Sequence, residues 1–396
     1  MTWAIFADQS PEVIALFLKA GANVKTKDGS QDTPLLLAAQ YNKHPEVIAA
    51  LVQAGADLHA KDASGMTPLL RAARFKSPPE IIAALVKAGA DVNAKDNEGD
   101  SPLMVATSYG SPPEVIVTLL KAGAAVNATD ERGCTPLMEA TRMNGLGLVA
   151  ALLRGGADVR IKDADGLTPL IFAAQRDDVP EIISALVHSG ADVNATDKNG
   201  WTALRWAAFN NKTPDLIAAL VKAGANVNAA DKDGMSPLMM LASRESMKPE
   251  AIGALVKAGA EVNATDKDGR TALMWAAGNN RNPEAITVLG KAGASVNGKA
   301  KNGMTPLMWA AFSNGSPEVI AALIKAGAEV NAKTSDGSTP LIWAAVFNPH
   351  PEVITALIKA GAEVNGNDND GKTALDHARG RNNSPAITVL KEAGAK

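Results

Sequence analysis

A single cysteine, two tyrosines and five histidines serve a chain of 396 residues, and aromatic residues make up only 4% of it. With Cys134 alone, no intrachain disulfide can form, which fits a reducing compartment. No apolar run approaches the ~18 residues of a membrane-spanning helix. The start, MTWAIFADQS, has neither a basic n-region nor a long apolar h-region, so a secretory leader is not expected and a cytoplasmic protein is. His44, His59, His188, His350 and His377 are scattered at no metal-ligand spacing. No glycine-rich loop follows a strand, so a phosphate cradle is not supported, and neither metal nor cofactor is expected. Formal net charge is only −3, which leaves no electrostatic footprint for nucleic acid. Residues 1–198 carry 18 Lys and Arg against 24 Asp and Glu, and residues 199–396 carry 21 against 18. A solvated surface accounts for that gradient. Ser, His and Asp occur without a catalytic signature, so an enzyme is not expected.

What the chain has in abundance is recurrence. A Gly-Ala stop falls at Gly21, Gly55, Gly89, Gly123, Gly156, Gly190, Gly224, Gly259, Gly293, Gly327, Gly361 and Gly394, in steps of 33 to 35 residues. A fixed period of this size marks a stacked-repeat architecture. The stretch Pro317 to Ala332 shows why it repeats. Pro317 suits the first helical position, and Ser316 before it is placed to cap. Glu318 sits where the helix dipole favours an anion, and Lys325 where it favours a cation. Val319, Ile320, Leu323 and Ile324 form one apolar face, and Gly327 is the left-handed stop. A helix of about ten residues cannot stand alone in water, so that face needs a neighbour.

Between stops, a turn such as VNATDKNG leads to Thr202, which is placed to cap a short first helix from Ala203 to about Phe209. The same start recurs as Thr33-Pro34-Leu35, Thr67-Pro68-Leu69, Ser101-Pro102-Leu103, Thr135-Pro136-Leu137 and onward to Thr339-Pro340-Leu341. Asp-x-x-Gly-x-Thr-Pro-Leu-x-x-Ala-Ala, then Glu-Val-Ile, then Ala-Gly-Ala-Asp-Val-Asn-Ala, resembles the ankyrin repeat over essentially the whole chain. The wording is closest to prokaryotic arrays, with a 34-residue variant period. The resemblance implies an all-α repeat fold, a right-handed solenoid of stacked helix-turn-helix units with hairpin-like loops. It divides the chain into an N-terminal capping unit at 1–27, internal repeats at 28–367 and a C-terminal capping repeat at 368–396. Trp3, Ile5 and Phe6 would form a degenerate first helix over the start. Lys391, standing where other repeats carry an aliphatic, would close the end. One departure matters. The family's histidine after Thr-Pro-Leu is replaced by Leu36, Leu70, Met104, Met138, Ile171, Met239, Met274, Met308 and Ile342, with Arg205 in one repeat. Apolar packing is therefore expected to take over the work of its hydrogen bonds.

The resemblance also implies a protein-interaction scaffold that binds a protein or extended peptide in a concave groove. The residue before Thr/Ser-Pro would face that groove. There Cys134, Leu167, Trp201 and Met235 are expected to form an exposed apolar strip. A second strip comes from the first helices: Tyr41, Phe75, Tyr109 and Met143 at their ends, and Trp206, Trp275, Trp309 and Trp343 within them. Phe209, Phe312 and Phe347 lie three or four residues on from a tryptophan and share its face. Of the 15 aromatics only Phe17 belongs to a second helix. The tryptophans have two roles open to them, packing between repeats or contacting a partner. A monomer is expected. The alternative is an architectural or regulatory module, a spacer or inhibitor subunit, that self-associates through the apolar strip. Gly278, Gly290, Gly298 and Ala300 depart from the repeat, so the array should open most easily around 278–300.

Overall fold

The computed structural model describes residues 4–5, 7–143, 145–176, 180–210, 213–245 and 248–396. Trp3 and Phe6, expected in the N-terminal cap, lie outside them. Contacts gather the chain into two compact units, residues 1–198 and 199–396. Each is an all-α stack of repeats, with a first helix of six to eight residues and a second helix of nine in each repeat.

The first helices of the N-terminal unit are Pro34–Tyr41, Pro68–Arg74, Pro102–Ser108, Pro136–Arg142 and Pro169–Ala174. Those of the C-terminal unit are Ala203–Phe209, Pro237–Ala242, Ala272–Asn279, Pro306–Ser313, Pro340–Phe347 and Ala374–Gly380. Within each unit, first helices pack on first helices of the adjoining repeats and second helices on second helices. Each first helix begins as its sequence dictates. Thr305 Oγ1 accepts the Met308 N–H at 3.4 Å, and Pro306 fills the first helical position, where its missing N–H costs nothing. The residues that replace the family's histidine are buried: Leu36, Leu70, Met104, Met138, Met239, Met274 and Met308 are at most 2% exposed.

The second helix Pro317–Lys325 turns Val319, Ile320 and Leu323 fully inward. Ser316 does not cap it. Its hydroxyl donates instead to Glu318 Oε2 at 2.6 Å, and that bond holds the Glu318 carboxyl below the usual range. The helix stops at Gly327, φ +95°, whose N–H donates to Ile324 O while that of Ala328 donates to Leu323 O. That pair of bonds is the left-handed helix end that favours glycine.

The turns between repeats rest on one side chain. Asp62 Oδ1 accepts the N–H of Ser64 at 2.8 Å and of Met66 at 2.9 Å, which closes the hairpin. Asp28, Asp96, Asp130, Asp163, Asp231, Asp266 and Asp368 do the same. Adjoining hairpins then join by a backbone bond, as in Asn97 N–H to Ser64 O at 3.1 Å and Lys301 N–H to Asp268 O at 2.9 Å. Gly65 is required at this junction: its φ is +76°, and a Cβ there would lie 2.3 Å from Asn97 Oδ1.

Candidate partner-binding surface

In the N-terminal unit, Tyr41, Phe75, Tyr109 and Met143 occupy one register, the last residue or C-cap of consecutive first helices. They are 38%, 47%, 41% and 43% exposed. Arg74 sits over the Tyr109 ring at 4.9 Å, so a cation from one repeat reaches the aromatic of the next. Below this row lies a charged clasp. Arg71 donates to Asp62 Oδ2 at 2.8 Å, to Asp32 Oδ1 at 2.7 Å and to Gln40 Oε1 at 2.6 Å. Burial alone would raise the Asp62 carboxyl. The Met66 amide and the Arg71 guanidinium outweigh it and hold the group low.

The expected hairpin strip is corrected at Cys134, which is buried at 4% exposure. Its own N–H is tied to Asp130 Oδ1 at 2.8 Å. Burial, and then the charge of Asp130, push its thiol up. Leu167 in the same unit stays half-buried.

The C-terminal unit carries two aromatic clusters. In one, Trp201 lies 4.9 Å from Trp206 and 5.2 Å from Phe209, centroid to centroid, and Trp206 meets Phe209 edge-on at 6.1 Å. Arg205 lies over Trp201 at 4.6 Å and Arg244 over Phe209 at 3.9 Å. Arg205, in the place of the family's histidine, is fully buried and reaches Asp231 Oδ2 of the next hairpin at 2.7 Å. Met235 is half-buried. In the other cluster, Phe312 joins Trp309 at 6.1 Å, Trp343 at 5.8 Å and Phe347 at 5.0 Å, while Trp343 stacks on Phe347 at 5.5 Å. Buried Met304, Met308 and Ala332 form its floor, and Phe347 is 44% exposed. Trp275 stands under Arg270 at 4.2 Å and donates its indole N–H to Asp266 Oδ2 at 3.1 Å. All four first-helix tryptophans of this unit are half-buried, so each both packs and presents an edge. The spacing rule for shared helix faces thus places Trp206 with Phe209, Trp309 with Phe312 and Trp343 with Phe347.

The sequence reading missed the polar ladders that join the repeats. Asn314 Nδ2 donates to Ala277 O and Asn280 O, both at 2.8 Å, and Asn348 Nδ2 to Ala311 O and Asn314 O, both at 2.9 Å. Ser77 and Ser111 play that part in the N-terminal unit, donating to Ala39 O and Ala73 O. A second ladder uses the Asn of Val-Asn. Asn297 donates to Gly327 O at 3.0 Å and accepts the Glu329 N–H at 2.9 Å. The signal was present as an Asn or Ser two or three residues before the proline of most second helices. Its meaning needs the carbonyls of the preceding repeat.

Among the described residues, no group of three His, Cys, Asp or Glu is placed to hold a metal ion, and no helix is long and apolar enough to cross a membrane. Short helix pairs in register, joined by aspartate-closed hairpins, define a helical-repeat stack. The profile of the family described as Ankyrin repeats (3 copies) matches residues 1–96, 79–163, 143–231, 170–266, 238–334 and 311–396. The chain belongs to the ankyrin-repeat family, whose repeats are general protein–protein interaction modules and typically non-catalytic. No curated protein matches the chain.

Proposed function

We propose that this chain is a protein-interaction scaffold that holds an extended segment of a partner along its first helices and hairpins, with aromatic side chains as anchors and without a cofactor. The observation that carries this reading is the row Tyr41, Phe75, Tyr109 and Met143. Four consecutive repeats keep a large side chain about two-fifths exposed at one register. Such rows are rarely kept on a surface without use, and Tyr, Trp and Phe dominate interface cores. Helices pack at about 8–10 Å, so the row has the step of every third residue of an extended chain at ~3.3 Å per residue. Trp206, Trp275, Trp309 and Trp343, with Phe209, Phe312 and Phe347, extend the same role to the C-terminal unit; Trp201 and Met235 add to it from the hairpins there, and Leu167 from a hairpin of the N-terminal unit. The free, buried thiol of Cys134 fits a reducing, cytoplasmic setting.

The test uses immobilised full-length chain, wild type against a Tyr41→Ala, Phe75→Ala, Tyr109→Ala triple variant. Proteins retained by the first should lose about tenfold or more in affinity for the second, as anchor truncations of this kind do. The melting temperature should stay within a few degrees. Equal retention by both forms would overturn the reading. Light scattering runs alongside: a stable homo-oligomer that dissociates in the triple variant would assign the row to self-association.

A further inference from the structure

Among the described residues, four arginines of the C-terminal unit lie over aromatic rings, and they are of two kinds. Arg205 over Trp201 and Arg270 over Trp275 hold carboxylates of their own chain. Arg205 has Asp231 at 2.7 Å, and Arg270 has Asp266 at 2.7 Å and Asp268 at 2.8 Å. Arg244 over Phe209 at 3.9 Å and Arg381 over Phe347 at 5.5 Å hold no carboxylate among the described residues. Acids close to them in the chain are engaged elsewhere: Glu245 pairs with Arg281 at 3.2 Å, and Asp376 with Arg379 at 3.7 Å. Both uncompensated arginines stand seven residues on from the first residue of their first helices, Pro237–Ala242 and Ala374–Gly380. In the N-terminal unit that same register carries Tyr41, Phe75, Tyr109 and Met143.

Arg381 is exposed, whereas Arg244 is half-buried. Burial alone, with no neighbouring anion opposing it, draws the Arg244 pKa down. Its Nε is enclosed without a partner; the two terminal nitrogens, equally without one among the described residues, are not enclosed. A cation taken partly out of water with no counter-ion is costly until an anion arrives. Phe209 covers one face of the guanidinium and holds it flat. What is left to a partner is the pair of terminal nitrogens, which the two oxygens of a carboxylate match. Trp201 also lies against Phe209, at 5.2 Å. Side chains two apart on one side of an extended segment stand ~6.6 Å from each other, so one can meet Arg244 while the next meets Trp201.

We propose that Arg244 receives an aspartate or glutamate side chain of the bound segment, its carboxylate meeting the two terminal nitrogens, while an apolar side chain two residues away rests on Trp201 and Phe209. Arg381 with Phe347 offers the same acid-and-apolar pair four repeats further on. This rests on the reading that the first helices and hairpins form the partner-binding face, and it adds the charge of what that face selects. Arg205 and Arg270 keep acids of their own and ask nothing of a partner. A segment with a neutral or basic residue at the place of the acid leaves Arg244 uncompensated and is disfavoured.

The test titrates the nitrogen-15-labelled full chain with acetyl-Leu-Ala-Asp-Ala-Leu-amide and its Asn counterpart, which place a leucine two residues from the tested position in either direction. The signals read are the Arg244 Nε–H, assigned with Arg244→Lys, and the Trp201 indole N–H, assigned with Trp201→Phe. The Asp peptide should move both saturably and bind about threefold or more tighter than the Asn peptide, the worth of a partly screened ion pair. In Arg244→Gln the two peptides should bind alike, read at Trp201. Lys257→Gln, which removes an exposed cation of the same repeat, should leave the preference as it was. Equal affinities in wild type, a preference that survives Arg244→Gln, or one lost as fully in Lys257→Gln overturns the proposal. Where both peptides move Trp201 alike in wild type, the acid site falls and the binding-face reading stands. If neither peptide moves it, both fall at this cluster.

Discussion

Asp100 precedes the Ser-Pro start of its first helix, and partial burial followed by the nearby charges of Asp96, Asp130, Glu98 and Glu139 pushes its carboxyl from 3.8 up to about 6. The folded chain therefore holds this proton more tightly than the unfolded one. The resulting stability is fully present below about pH 3.8 and is lost as pH rises through about 6. Asp100→Asn should raise stability at pH 7.5 by about 1 kcal/mol, solvent screening having reduced a larger nominal shift. The gain should vanish near pH 4. A melting-temperature difference that is the same at both pH values would refute it. Cys134 has the opposite practical meaning. Burial, and then Asp130, push its thiol from 9.0 up to about 11. An aromatic disulfide reagent at pH 8 should leave it unmodified until its repeat opens, so labelling should track unfolding. Modification at the rate of a free thiol would contradict the burial. The sequence could not reveal this residue's environment. The resemblance put this hairpin position on the groove face, and the charges that act on Cys134 include Asp163 of the following hairpin.

Single helices explain both what was legible and what was not. Thr-Pro starts, the apolar face of Pro317–Lys325 and the stop at Gly327 are local chemistry, so period and composition were enough to place them. Ser316 was misread because its hydroxyl turns to donate to the Glu318 carboxylate and its oxygen accepts no helix N–H. Asn314 was missed because its partners lie a full repeat away. Asn314→Ala strands the carbonyls of Ala277 and Asn280 and should cost about 1–3 kcal/mol, measured by denaturant unfolding. A cost under a few tenths would show that the ladder adds nothing. Gly290 points the other way. A Cβ there would meet only Ala326 Cβ, at 3.8 Å, so Gly290→Ala should add about 1 kcal/mol and slow hydrogen exchange around 278–300. Gly278 offers no such gain, because its Cβ would sit 3.2 Å from Ser313 Oγ. Equal stabilisation at both glycines would argue against this distinction.

For the whole chain, class was legible and partner was not. Family membership follows from many matches at one spacing, whereas recognition depends on residues that differ between repeats. Trp201 and Phe209 were singled out by position, and the structure adds that they pack on Trp206, Arg205 and Arg244. The double variant Trp201→Ala, Phe209→Ala should therefore weaken partner binding about tenfold or more, with a modest loss of stability from the broken cluster. Unchanged affinity in a titration would remove these two from the binding face.

The second asparagine ladder has a consequence for how such a chain can lengthen or shorten. Asn228, Asn263, Asn297 and Asn331 each clasp the Gly-Ala stop of the repeat that follows, through one donated and one accepted bond. These four seams thus share one plug and socket. Excising one period, cut at equivalent points, rejoins a plug to a socket and costs no bond at the scar, while a cut out of phase wrecks two. Gain or loss of whole blocks is then nearly silent for the scaffold and changes only which side chains it displays.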